Sequence, residues 1–360
     1  MSGIRLEDID PNFAAKTYSE CELEFYDVTN KPFKVYGLYN AKQGDFSRMP
    51  HDIAHTVSKG VEYLQKQTSG GRIRFKTNSR YIVVKSILPE FHLMKHMPFT
   101  GSSSFDLYID NVYYKPFFPD VDFQDSAKCK AIASSVGIES MVDMKNNEVK
   151  EIEINFPLYN AVSNVYIGLE KEALVEEGKE YIGKNPVVFY GSSITQGGCA
   201  SHPGNAYQNI ISRRLNRDFI NLGFSGSCKA EKEMAEYISS LDMDAFVYDY
   251  DHNSPSAEYL EQTHEPLFLK LREKNPDVPV IFVSTADRSF GDKTDLRKSI
   301  IYKTYKNALD RGDKNVYFID GQTIYNEVDG QYCTVDGCHP NDLGFWCMAN
   351  SICDVLKKIF

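Results

Sequence analysis

At 360 residues the chain is long enough for two domains that each bury a core, and a composition of 42% hydrophobic and 25% charged residues argues against disorder. A formal net charge of −10 with no basic run argues against a nucleic-acid surface and against adsorption to anionic lipid, and leaves a neutral ligand such as a sugar open. The start MSGIRLEDIDPNFAAK has no apolar signal region, and no stretch approaches the roughly 20 apolar residues of a membrane span. Eight cysteines without a framework spacing suit free thiols in a reducing compartment, so a cytoplasmic location is expected.

From about residue 20 to 175 the pattern is β-like. One helix is expected over 53–67. Ile73 and Phe75 alternate with polar residues, Tyr81 and Val83 continue the period after the turn signal Thr77-Asn78-Ser79, and Ile152, Ile154 and Phe156 alternate with Glu151, Glu153 and Asn155. Such period-2 runs indicate half-buried antiparallel strands and a β-sandwich. The charged, Gly-bearing stretch 176–185 reads as the linker, giving a first domain over 1–180 and a second over 181–360.

The second half changes period. Apolar runs at 187–190, 219–222, 246–248, 280–283 and 316–319 suit buried parallel strands. Helical patterns lie between and after them, at 206–215, 230–241, 257–274, 295–309 and 343–358. Strands alternating with helices imply right-handed βαβ units and a three-layer α/β/α domain with a five-stranded parallel sheet.

Ligands of such sheets bind beyond the carboxyl ends of the strands, so the loops there are the informative ones. The first is Gly191-Ser192-Ser193-Ile194-Thr195-Gln196-Gly197, where small residues let a serine sit on a tight turn into a helix. A Ser-rich helix cap is the competing reading. The second, Asn221-Leu222-Gly223-Phe224-Ser225-Gly226, offers a glycine whose N–H can face an oxyanion. The third, Asp249-Tyr250-Asp251-His252-Asn253, offers an amide donor, although Asx residues at strand ends usually form turns. The last, Asp336-Gly337-Cys338-His339-Pro340-Asn341, places a carboxylate three residues before a histidine, where it can orient the ring toward a serine.

In this order, Ser193, Gly226, Asn253 and Asp336…His339 resemble the four blocks of the SGNH/GDSL hydrolase family over roughly 184–360. Ser192 stands where the family usually has Asp, and Asp251 where it usually has Gly two before the Asn. The resemblance implies a flavodoxin-like fold, Ser193, Asp336 and His339 as the catalytic set, and an oxyanion hole from Ser193 N–H, Gly226 N–H and the Asn253 side chain. Ser104-Phe105-Asp106-Leu107-Tyr108 resembles the G-x-D-L-Y signature of the jelly-roll domain that precedes the hydrolase domain in one subgroup, with Ser104 for the Gly. The stretches Gly70-Gly71-Arg72-Ile73-Arg74-Phe75 and Leu158-Tyr159-Asn160 also look like that subgroup. Relatives of this layout are often carbohydrate O-acyl esterases, which points to an acetylated sugar by analogy.

Other candidates carry less. His252 and His264 are rival bases, with a surface or capping role expected for His264. Cys199, Cys228, Cys333 and Cys338 lie in or beside the site loops and could meet at its mouth, with buried inert thiols as the plainer reading. There is no H-E-x-x-H, no C-x-x-C and no phosphate-loop Lys, so no metal or nucleotide cofactor is expected. The expected function is a serine esterase acting on small acyl esters of a small molecule or oligosaccharide. Alternatives are an acyltransferase using the same residues and a non-catalytic carbohydrate-binding protein. Oligomeric state is left open.

Overall fold

The alternating pattern of the first half folds into two antiparallel sheets around one apolar layer. The computed structural model describes residues 21–91, 93–119, 136–286 and 292–360. Strands β1 (Leu23–Asp27), β6 (Tyr81–Leu88), β9 (Val136–Asp143) and β11 (Asn164–Glu170) form a sheet of order β1-β11-β6-β9. Facing it are β5 (Arg72–Thr77), β7 (Phe105–Ile109), β8 (Val112–Phe117), β10 (Lys150–Asn155) and β12 (Val175–Glu177), in the order β12-β5-β10-β7-β8, with β2 (Lys34–Tyr36) also paired to β5. A short hairpin, β3 (Asn40–Lys42) and β4 (Asp45–Ser47), completes the strands of this half among the described residues. Ile73, Phe75, Ile152 and Ile154 from one sheet and Ile82, Val84, Ile138 and Ile167 from the other share a single buried cluster, which makes the two sheets a β-sandwich.

The expected helix over 53–67 is instead two, α1 (His51–Val57) and α2 (Lys59–Leu64). Ser58 between them is extended, and its hydroxyl accepts from Val61 N at 3.2 Å, so it caps a new helix where the pattern suggested continuity. A one-turn helix, α3 (Phe99–Ser102), precedes β7.

In the second half, β13 (Val187–Gly191), β14 (Phe219–Gly223), β15 (Ala245–Asp249), β16 (Val280–Val283) and β17 (Val316–Ile319) form a parallel sheet of order β14-β13-β15-β16-β17. The helices are α4 (Ser193–Gln196), α5 (Tyr207–Leu215), α6 (Lys232–Ser240), α7 (Ala257–Lys274), α8 (Asp292–Asp310) and α9 (Asp342–Ile359). The continuous apolar strands are continuous because both faces are covered. Val188, Tyr190, Phe246 and Phe282 pack with α6, α7 and α8, while Val187, Phe189, Val247 and Ile281 pack with α5 and α9. Ala54 and Val57 of α1 and Val61 and Leu64 of α2 belong to the first of these cores, so the first half of the chain helps bury a face of the second sheet. Among the described residues no helix is long and apolar enough to cross a membrane.

The stretch 176–185 differs from a plain linker. It begins as the end of β12, paired to β5, and the Tyr181 ring then lies under the guanidinium groups of Arg72 and Arg74, at 5.4 and 4.2 Å.

A second tie involves Asp106, fully buried in β7. Its Oδ1 accepts from Asn155 Nδ2 at 2.7 Å, and its Oδ2 accepts from Gly204 N and lies against His202 Nδ1, both at 2.6 Å. Tyr113 stacks on the His202 ring at 3.9 Å. Gly204 and His202 lie in the loop that follows the Ser193 segment, so this carboxylate fixes the sandwich to that loop. Asp106→Ala strands three buried polar partners, and unfolding in urea should show a loss of about 3–5 kcal/mol. A loss below about 1 kcal/mol would contradict this role.

Candidate active site

Strand β13 ends at Gly191, and the chain turns at once into α4. A Cβ on Gly191 would sit 2.0 Å from Thr195 Oγ1, and one on Gly223 would sit 2.2 Å from Gln196 N, so the two strand ends close around α4 only because both lack side chains. The two adjacent serines take different work. Ser192 is extended and its Oγ accepts from Ile194 N at 3.2 Å, making it the helix cap. Ser193 is the first helical residue, and its hydroxyl reaches His339.

A helix of one turn leaves its last carbonyls without intrahelical partners, yet α4 is buried, so these need partners from elsewhere; the capping Gly197 N–H reaches only Ile194 O and Ser193 O. Ser193 O accepts from Tyr159 OH and from Gly198 N, both at 2.9 Å. Ile194 O accepts from Gly197 N at 2.9 Å, with Gly197 in the left-handed region at φ 99°. Thr195 O accepts from Gln208 Nε2 at 2.6 Å and Asn221 Nδ2 at 2.7 Å, and Gln196 O accepts from Ser69 Oγ at 2.6 Å. Tyr159 and Ser69 come from the first half of the chain. Arg48, also from that half and buried, donates to Asn221 O at 3.1 Å and Gly223 O at 2.6 Å, bracing the end of β14.

His339 arrives on the loop before α9. Its Nδ1 lies 2.8 Å from Asp336 Oδ2, and its Nε2 lies 2.9 Å from Ser193 Oγ. A carboxylate only accepts, so Nδ1 carries the proton toward Asp336 and Nε2 is left to accept from the serine hydroxyl. Asp336 Oδ1 accepts from Cys338 N at 3.1 Å and His339 N at 2.8 Å. Partial burial pushes its carboxyl up, but these backbone donors and the His339 ring outweigh burial and hold it down at about 2. A depressed carboxyl of this kind stabilises the loop above the ordinary value of 3.8 and ceases to as pH falls toward 2.

The other expected site residues lie on the loops after β14 and β15. Gly226 is exposed with φ 67°, on the loop after β14, and neighbouring Ser225 N donates to Gln196 Oε1 at 2.9 Å. Asn253 Oδ1 accepts from Cys228 N at 3.4 Å, which ties the Asn253 loop to the Gly226 loop. Asp251, in place of the usual Gly, is buried. It pairs with His252 Nδ1 at 2.9 Å, accepts from Thr285 N at 2.9 Å, and its carbonyl accepts from Arg297 at 2.5 Å.

His252 is therefore not a rival base. Burial disfavours its charge, but Asp251 outweighs burial and keeps it protonated, and its Nε2 lies 2.8 Å from Thr285 Oγ1. His264 is fully buried rather than at the surface: it stacks on Tyr248 at 4.4 Å, and burial lowers its pKa to about 3.

The four cysteines do not converge. Cys228 lies in the core with Tyr190 and Cys333 beside Cys347, and burial pushes both thiols up. Cys338 sits against His252. Cys199 lies near Asp336 and Cys338, and burial first and Asp336 second push its thiol up to about 12, so the unliganded side chain stays a protonated thiol.

Sequence reasoning gave no role to Tyr159 or Ser69, and it passed over His96. The His96 ring, from the segment before α3, lies 5.2 Å from that of His339. Beside the acid–base loop is a cavity of about 550 Å³ lined by Tyr325, Asp329, Gln331, Thr334, Val335 and Gly337 among others.

This arrangement can pass a proton from a serine hydroxyl to an imidazole held by a carboxylate. Residues 184–357 match the model of the GDSL-like lipase/acylhydrolase family, and residues 23–175 match that of the N-terminus of SGNH hydrolase-type esterases. The chain belongs to the SGNH/GDSL hydrolases, in the group with a GxDLY-type N-terminal domain. A putative GDSL-like lipase from Bacteroides ovatus is 28% identical, with 94% of this chain and 98% of that chain covered and a TM-score of 0.82. A salicylyl-acyltransferase from a tetracycline biosynthetic pathway shares the fold at 18% identity, covering 94% and 97% with a TM-score of 0.75. An acetyl xylan esterase from the rumen bacterium Butyrivibrio proteoclasticus does so at 13% identity, covering 93% and 98% with a TM-score of 0.58. No curated protein matches the chain significantly.

Tyr159→Phe removes one donor to the Ser193 carbonyl and keeps the ring. It should cost about 1 kcal/mol of stability and roughly tenfold in kcat/KM on an activated ester. Calorimetry and steady-state kinetics read the two, and an unchanged kcat/KM would show that the contact does not position Ser193.

Proposed function

We propose that the protein is a serine esterase that removes small acyl groups, acetyl foremost, from a carbohydrate by way of an acyl-enzyme on Ser193. The observation that carries this reading is the chain from Ser193 Oγ to His339 Nε2 and from Nδ1 to Asp336. His339 takes the serine proton as Oγ attacks the ester carbonyl, then returns it to the departing alcohol. Water, deprotonated by the same ring, releases the acid. Asp336 stays ionised and stabilises the imidazolium. The N–H of Ser193 at the start of α4, the N–H of Gly226 and the side chain of Asn253 receive the oxyanion.

Three observations support the substrate class. The cavity beside the His339 loop has the volume of a ligand site and sets Tyr325 among polar side chains, a composition suited to a sugar. The loop after Ser193 is buried against α3, with Thr100 Oγ1 donating to Ser201 O, which favours a short acyl group. Likeness to the acetyl xylan esterase adds support at the level of architecture. Likeness to the salicylyl-acyltransferase keeps a second reading, in which an acceptor hydroxyl replaces water.

Ser193→Ala should lower hydrolysis of p-nitrophenyl acetate by roughly a thousandfold or more with the fold intact. Asp336→Asn should lose less than His339→Ala, because the base remains. Retained activity in Ser193→Ala, with loss in Ser192→Ala, would overturn the assignment. Mass spectrometry of acetylated oligosaccharides then tests the substrate. Stepwise loss of acetyl supports the sugar reading, acyl appearing on an added acceptor supports transfer, and no change on any sugar beside rapid turnover of long-chain esters overturns both.

A further inference from the structure

One ring nitrogen of His96, one of His339 and the thiol sulfur of Cys199 lie within 4.8 Å of one another. Three chain segments supply them: the coil before α3, the loop after α4 and the loop before α9. Cys199 is buried and adopts φ 73°, a conformation unusual for a residue with a side chain, and its Sγ lies 3.3 Å from His96 O. His96 and His339 are partly exposed, so the cluster opens toward solvent on the histidine side.

We propose that this cluster is a binding site for a soft divalent transition metal, zinc foremost, and that the metal switches the esterase off by occupying His339 Nε2. The inhibitory half rests on the reading of His339 as the base; the metal site does not.

Two imidazoles and a thiolate are the donor set that selects zinc over magnesium or calcium, which prefer oxygen. Zinc bonds of about 2.0–2.3 Å would draw the ligand atoms to roughly 3.5 Å apart, a closure of about an ångström that side-chain rotation supplies. Asp336 completes the geometry from behind. It already takes the Nδ1 proton of His339, the carboxylate–histidine arrangement that turns the other nitrogen toward a metal. Binding releases the Cys199 thiol proton to solvent, and no electrons move. Ser193 keeps its hydroxyl proton, because its acceptor is taken. A water fills the fourth position.

The test uses the full-length protein, freed of metal by chelator and desalted. Cobalt(II) titration should give a thiolate-to-cobalt charge-transfer band and tetrahedral d–d bands at one equivalent, both removed by zinc. Cys199→Ser should abolish the charge-transfer band, and His96→Gln, at a partly exposed position, should weaken binding by at least roughly tenfold. Zinc should inhibit wild-type ester hydrolysis reversibly, with chelator restoring it. Each variant should need at least roughly tenfold more zinc for the same inhibition. Absence of the charge-transfer band in the wild-type protein overturns the site, as does equal zinc sensitivity in wild type and both variants. A Cys199-dependent band in a protein with no esterase activity upholds the metal site and sinks the esterase reading instead.

Discussion

The structure depends on satisfying the backbone of one buried turn. Helix α4 is too short to bond the carbonyls of Thr195 and Gln196 itself, and an unpaired buried carbonyl costs on the order of 1–3 kcal/mol. The chain meets that demand from both halves: Tyr159 and Ser69 from the sandwich, Gln208 and Asn221 from the parallel domain. The first half is thereby part of the wall that holds the Ser193 backbone. This accounts for why the two halves bury polar side chains such as Arg48 and Asp106 at their seam, where an apolar contact would be simpler.

The same logic explains the departure at Asp251. With a carboxylate where relatives usually carry glycine, the strand end needs a counter-charge, and His252 with Arg297 and Thr285 supplies charge and hydrogen bonds. The loop that carries Asn253 is thus locked by an internal ion pair. The histidine next to Asn253 is spent on that lock, while His339 is left to face the serine.

Much of this was legible in the residues. The five apolar runs and the helical periods between them place the strands and helices of the second half to within three residues, because a strand buried on both faces leaves an unbroken apolar signature. Of the two adjacent serines, Ser193 Oγ lies 2.9 Å from His339 Nε2 while Ser192 Oγ accepts from Ile194 N, and Asp336 and His339 meet on one tight loop. What escaped the sequence depended on tertiary context. Ser58 carries no local sign that it divides a helix, and His264 reads as polar although Tyr248 and Thr304 bury it. Tyr159, Ser69 and His96 lie about 34 to 240 residues from their partners, and no periodicity connects them.

The central claim is that one serine, presented by α4 and facing His339, is the nucleophile. A fluorophosphonate reacts covalently with a serine only where a base accepts its proton, so peptide mapping after labelling reads the claim directly. The account predicts one phosphonyl group per chain, on Ser193, with none on Ser192 and none after His339→Ala. A label on Ser192, or undiminished labelling of Ser193 in the His339→Ala protein, would contradict it.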